Sequence, residues 1–186
     1  MSYLILGTWN NPGDINTLVD AGVTAEQLDE IETTQAKGIG KRLVERVVLT
    51  HRHFDHTAGL GELKKRYAPE LFAYAELPEG NTKLSDNQPL HLGDGDFNVI
   101  CTPGHSDDSI CLYCETEGVL FTGDTPMIIR TKGGRYPKSL VTSLKRLAEL
   151  DIQVIYPGHG SPILNQPRQQ LLSTLRMIED CEIIEQ

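Results

Sequence analysis

The run His51-Arg52-His53-Phe54-Asp55-His56 constrains this chain more than any other segment. It puts three imidazoles and a carboxylate into six residues, directly after Val44-Glu45-Arg46-Val47-Val48-Leu49-Thr50, which reads as a strand. Neutral imidazole and carboxylate are ligands for zinc and other borderline metals. Alternate side chains of extended backbone share a face, so His51 and His53 can close on one ion. Asp55 and His56 arrive as the chain turns into a helix and can address a second ion. The spacing is not that of a zinc finger, whose companion ligands would be nearby cysteines.

Of the six histidines, five fall in motifs. Beyond the first three, His105 lies in Thr102-Pro103-Gly104-His105-Ser106 and His159 in Tyr156-Pro157-Gly158-His159-Gly160. Between them comes Thr122-Gly123-Asp124-Thr125, again after an apolar run. Each is a Gly- or Pro-containing turn at the end of a predicted strand, where a polar side chain can reach a shared rim. Any one such turn is commonplace. Together with the first motif, in this order and at domain-scale spacing, they point to a metal centre. His91 precedes the turn Gly93-Asp94-Gly95, matches no ligand pattern, and reads as an ordinary surface histidine.

From about Ser2 to His159 the series HRHFDH, TPGHS, TGDT, PGHG resembles the metallo-β-lactamase superfamily. The resemblance implies an α+β fold, a four-layer αβ/βα sandwich with metals at one edge of the two sheets. It implies a first metal site of His51, His53 and His105, a second of Asp55, His56 and His159, and Asp124 bridging two divalent ions, most simply Zn²⁺. A hydroxide held between the ions would be the nucleophile, with Asp55 and Asp124 as the catalytic carboxylates, so no Ser or Cys nucleophile is needed. The chemistry implied is hydrolysis of a thioester, ester or lactone of a small anionic substrate, in the manner of the hydroxyacylglutathione hydrolase (glyoxalase II) branch. A carboxylate at Asp124 speaks against a true β-lactamase. Only one helix follows His159, with Arg168 and Arg176 its sole cations, which speaks against glutathione specificity. The rivals are an iron-dependent oxidoreductase resembling persulfide dioxygenases, with one Fe in the three-ligand site, and a non-catalytic metal-binding protein.

Candidate substrate contacts are Trp9, in the loop after the first strand, and Arg130, Arg135 and Tyr136, beyond the bridging aspartate. The guanidinium groups could grip a carboxylate. Relatives usually carry another strand before Ser2–Leu6; without it a sheet edge is bare and pairing with a second copy as a homodimer is expected to be open. Asp108, after His105, reads first as a solvated loop acid and second as an acceptor for a ligand histidine.

A chain of 186 residues is expected to form one domain over 1–186. Its net charge of −9 argues against a nucleic-acid partner, and Lys64-Lys65-Arg66 reads as a solvated helix face. At the metals the balance would reverse to about +1, enough to attract an anionic small molecule. No apolar run is long enough for a membrane span and no secretory leader is evident, so a cytoplasmic protein is expected. Cys111 and Cys114, three apart in a predicted strand, point to opposite faces and read as buried thiols.

Strands are expected at 2–6, 16–20, 43–50, 71–75, 89–92, 97–101, 109–114, 119–122 and 152–156. Helices are expected from the capping box Thr24-Ala25-Glu26-Gln27 to about Lys37, and over 57–68, 137–150 and 166–181.

Overall fold

The computed structural model describes residues 1–7, 13–34, 42–78, 80–129 and 133–185. Their contacts group into two compact units, Met1–Leu84 with Pro89–Phe97, and Ser85–Gln88 with Asn98–Gln186.

The first unit holds β1 (Tyr3–Ile5), β2 (Thr17–Val19), α1 (Ala25–Thr34), β3 (Arg46–Val48), α2 (Phe54–Thr57), α3 (Leu60–Tyr67), β4 (Glu70–Ala73), β5 (Thr82–Lys83) and β6 (Pro89–Leu92). Strands one to five form a sheet in sequence order, with β1 antiparallel to β2 and the rest parallel. Parallel neighbours need crossover connections. The helices α1 and α3 lie in two of these connections and bury Leu28, Leu60, Leu63 and Tyr67 against Val47, Leu49 and Leu71. The expected capping box starts α1: Thr24 N–H donates to Gln27 Oε1 (2.8 Å) and Gln27 N–H to Thr24 Oγ1 (3.3 Å). The helix expected over 57–68 instead begins at Phe54 and breaks before Leu60. The break has a local cause: Gly59 N–H leaves the helical ladder and donates to Ala21 O (2.7 Å).

The second unit contains most of β7 (Gly95–Cys101), then β8 (Ile110–Cys114), β9 (Val119–Gly123), β10 (Arg135–Pro137), α4 (Lys138–Ala148), β11 (Val154–Pro157), α5 (Pro167–Glu179) and β12 (Glu182–Ile184). β7, β8 and β9 run antiparallel, and β11 joins β9 in parallel after the α4 crossover. One face of this sheet, Ile100, Cys111, Tyr113, Leu120 and Ile155, packs with Leu140, Leu144 and Leu147 of α4 and Leu171 and Ile178 of α5. Cys114 is buried too, but strand alternation takes it out of that cluster, and both cysteines are free thiols as expected. Besides β5 of the first unit, two strands of the second were not expected from the sequence: β10 and β12 pair in parallel, Arg135 with Glu182 through Pro137 with Ile184. At three residues each they have no alternation to detect, and part of their support is ionic, from Arg135–Glu182 and Lys138–Glu185. The fold class is α+β, each unit supplying a sheet with helices packed on it. No helix among the described residues is long and apolar enough to cross a membrane.

Candidate metal centre

In the first unit the donors follow β3. His51 (2% exposed) and His56 (0%) are buried, whereas His53 and Asp55 are exposed. The burial of both rings depends on Asp20, which the sequence reading missed. Asp20 ends β2 with φ +62°, a left-handed conformation that Asp tolerates better than most residues. Its backbone N–H is tied to Val48 O (2.9 Å). Its carboxylate accepts from Thr50 N–H (2.8 Å) and Thr50 Oγ1 (2.9 Å), and lies 2.8 Å from His56 Nδ1.

These contacts assign one tautomer. The single Thr50 hydroxyl proton goes to Asp20, so at the 3.2 Å contact between Thr50 Oγ1 and His51 Nδ1 the ring nitrogen is the donor, which leaves His51 Nε2 with its lone pair. His56 Nδ1 stands 2.8 Å from the Asp20 carboxylate, an ion-pair contact. His51 Nε2 faces His53 Nδ1 at 3.0 Å, and His56 Nε2 is 3.6 Å from Asp55 Oδ2.

In the second unit three turns present His105, Asp124 and His159. The His105 turn follows β7 and is held by α4, whose Ser143 Oγ donates to Pro103 O (2.9 Å). Gly104 has φ +146°, and a Cβ there would stand 2.6 Å from Leu140 Cα, so only glycine lets the turn lie so close to the helix. Thr102 and Thr125 join their hydroxyls at 3.0 Å, linking this turn to the Asp124 turn. Gly158 N–H donates to Gly123 O (2.7 Å), linking the His159 turn to the same place. Asp124 Oδ2 then lies 3.5 Å from His105 Nε2 and 3.3 Å from His159 Nε2.

Three of these spacings suit metal ligation, while the 3.0 Å between His51 Nε2 and His53 Nδ1 is a hydrogen-bond distance. Side-chain hydrogen bonds from N–H to O cluster near 2.9–3.0 Å, whereas two ligand atoms on a tetrahedral zinc, each about 2.0–2.2 Å from it, lie roughly 3.3–3.6 Å apart. The Asp124 contacts and the Asp55–His56 contact fall in the second range. The second histidine of each unit's set is more exposed than the first, so each half presents its donors toward an accessible face.

The remaining candidates are placed differently. Trp9 and Arg130 lie outside the described residues. Arg135 is committed to Glu182 through Nε (2.8 Å) and an NH2 contact (2.9 Å), and Tyr136 packs at the border of the second unit's core. Neither lines the cavity beside Asp124. Asp108 is 6% exposed, so the solvated-acid reading is corrected: the loop folds this carboxylate inward. His91, expected as an ordinary surface histidine, is 32% exposed in its side chain; its Nδ1 contacts Asp96 at 2.8 Å and its Nε2 lies 3.6 Å from Asp14. Asp20 did carry a signal, since Val19-Asp20-Ala21-Gly22 repeats the pattern of a strand followed by an acid and a glycine turn.

Comparison with known proteins agrees with this geometry. The family described as the metallo-beta-lactamase superfamily matches residues 1–90 and 80–159. The lactamase-like protein adaB of Aspergillus niger is 33% identical over 163 residues, 83% of this chain and 49% of that protein. An atrochrysone carboxyl ACP thioesterase of Aspergillus fumigatus is 30% identical over 170 residues, 89% of this chain and 52% of its own. The chain thus spans about half the length of the curated relatives it matches. A metallo-beta-lactamase family protein from Thermus thermophilus shares the fold, with a TM-score of 0.69 at 21% identity over 96% of this chain and 79% of that one. Four motifs in order, donors at ligand spacing and a family match across most of the sequence lead to one conclusion: the chain belongs to the metallo-β-lactamase superfamily.

Proposed function

We propose that this protein is a metal-dependent hydrolase of thioesters that works with two divalent ions. His51, His53 and His105 would hold one ion, Asp55, His56 and His159 the other, and Asp124 would be shared by both. The observation that carries it is the Asp124 carboxylate oxygen set 3.5 and 3.3 Å from two imidazole nitrogens, with no basic side chain beyond those histidines among the described residues of its cavity. The names of relatives that are thioesterases support the substrate class. When bound, such ions would bring the pKa of a water near neutrality and polarise the acyl carbonyl.

The chain's own residues prepare the site. Thr50, itself bonded to Asp20, supports the His51 ring with Nε2 available, and the Asp20 carboxylate beside His56 Nδ1 would hold that ring in the same way, work done during folding rather than during the reaction. Asp55, whose side chain is 54% exposed, would accept a proton from water in this reading. Zinc is the ion we expect, because imidazole and carboxylate donors suit it.

The test is metal analysis of protein purified from unsupplemented cells, coupled to a screen of acyl thioesters, lactones and a chromogenic β-lactam. Zinc near two per chain with thioester turnover is the expected result. Iron near one per chain with no turnover of any acyl compound would overturn the proposal in favour of oxygen chemistry.

A further inference from the structure

The cavity beside Asp124 has a volume of about 340 Å³ and lies wholly in the second unit. His105, Asp124 and His159 line it together with the apolar side chains of Pro126, Met127, Ile128 and Ile163. Apart from the three candidate ligands, the polar side chains lining it are Thr125, whose hydroxyl is bonded to Thr102, and Ser161. Among the described residues no lysine or arginine lines it, and Arg135, the described cation expected to grip a carboxylate, is paired with Glu182. The small anionic substrate expected from the sequence therefore finds no counter-charge among these residues beyond the metal site itself.

We propose that this cavity binds an apolar acyl group, a medium-length chain or a single ring, as the acid half of the thioester. The proposal rests on the hydrolase reading above and deepens it. Hydrolysis there forms a C–O bond from water to the acyl carbon and breaks the C–S bond; the thiol leaves with one proton and the acid carries the other.

Two further observations support an apolar occupant. Ile128 is 40% exposed although it faces the cavity, an aliphatic surface that an acyl chain would take out of water. The wall is also preformed. Thr174 of α5 donates its hydroxyl to Met127 O (2.7 Å) and accepts from Ile129 N–H (3.3 Å). Ile163 exchanges backbone hydrogen bonds with Ile155 at 2.8 and 3.1 Å. The size is at the lower end of small-molecule sites, which fits one ring or a medium chain.

The test uses N-acetylcysteamine thioesters of acetate, butyrate, hexanoate, octanoate and benzoate with the zinc-loaded full chain, and calorimetric binding of the free acids. We expect kcat/KM to rise about fourfold per added methylene up to hexanoyl, and hexanoate to bind at least tenfold more tightly than acetate. Ile128→Lys, at an exposed position, should lower the hexanoyl-to-acetyl ratio at least tenfold and weaken hexanoate binding by the same factor. A profile flat in chain length, or a ratio unmoved by Ile128→Lys, overturns the proposal. The binding arm separates it from the hydrolase reading. If no thioester is turned over while hexanoate still binds in an Ile128-dependent way, the hydrolase reading fails and the apolar pocket stands.

Discussion

At the scale of single residues, the donors divide into those that would touch metal and those that hold them. Asp124 belongs to the first group in our proposal. Asp124→Ala should lower kcat by about three orders of magnitude or more while the circular dichroism spectrum stays that of the parent, because the turn has backbone bonds of its own, Thr125 N–H to Thr122 O (3.0 Å) and Gly158 N–H to Gly123 O (2.7 Å). Retained turnover in that variant would sink the bridging role. Asp20 belongs to the second group. It serves Thr50 and His56 together, so Asp20→Asn should weaken zinc binding roughly 10- to 100-fold, read by competition with a chromogenic chelator. The ligand candidates were legible because HRHFDH and the three glycine turns are local in sequence. Asp20 was not, because its partners are 30 and 36 residues away and only the pairing of β2 with β3 brings them together.

At the scale of elements, two predictions concern the second unit. Thr174 of α5 satisfies two backbone groups of the 127–129 segment, and Thr174→Val would leave both without it. The expected loss is about 1–3 kcal/mol, read as a fall in melting temperature, with Thr174→Ser retaining most of the stability. The strand β8 holds Cys111, whose thiol is pushed up to about 11 from an ordinary 9.0 by burial, against the lowering effect of Thr102 and Thr125. A raised folded-state pKa means the native state favours the neutral thiol. That contribution is intact below pH 9 and is lost as pH rises through 11. Unfolding free energy should therefore fall between pH 9 and 11, and less steeply in Cys111→Val, which has no titrating thiol. A fall of identical slope in the variant would assign the alkaline loss to other groups. Elements with strong periodicity, such as α4 with Leu140, Leu144 and Leu147, were readable from spacing. The strands β5, β10 and β12 were not: at two or three residues they are defined by their partners rather than by any pattern of their own.

At the scale of the whole molecule, the two units have separate cores. Ions bound only by the folded chain stabilise it by mass action, by about 2.7 kcal/mol at a hundredfold excess over Kd. Stripping the protein with a strong chelator should lower the melting temperature and abolish thioester turnover, and zinc should restore both. An unchanged melting temperature after verified removal would count against ions bound only by the folded chain. The fold class was legible from motif order, since the turns fell at predicted strand ends. The grouping of contacts into two units was not, because no composition shift or linker marks it.

The clamp of Thr174 on the 127–129 segment has a consequence for how such a protein can diverge. All the proposed metal donors precede residue 160, but the apolar 127–129 lining of the cavity is fastened from α5. Reactivity and taste are thereby encoded in different stretches of chain. Rewriting the residues that meet this segment could retune which acids are accepted without changing a single donor, whereas trimming the tail at His159 would also take Leu171 and Ile178 out of the second unit's core.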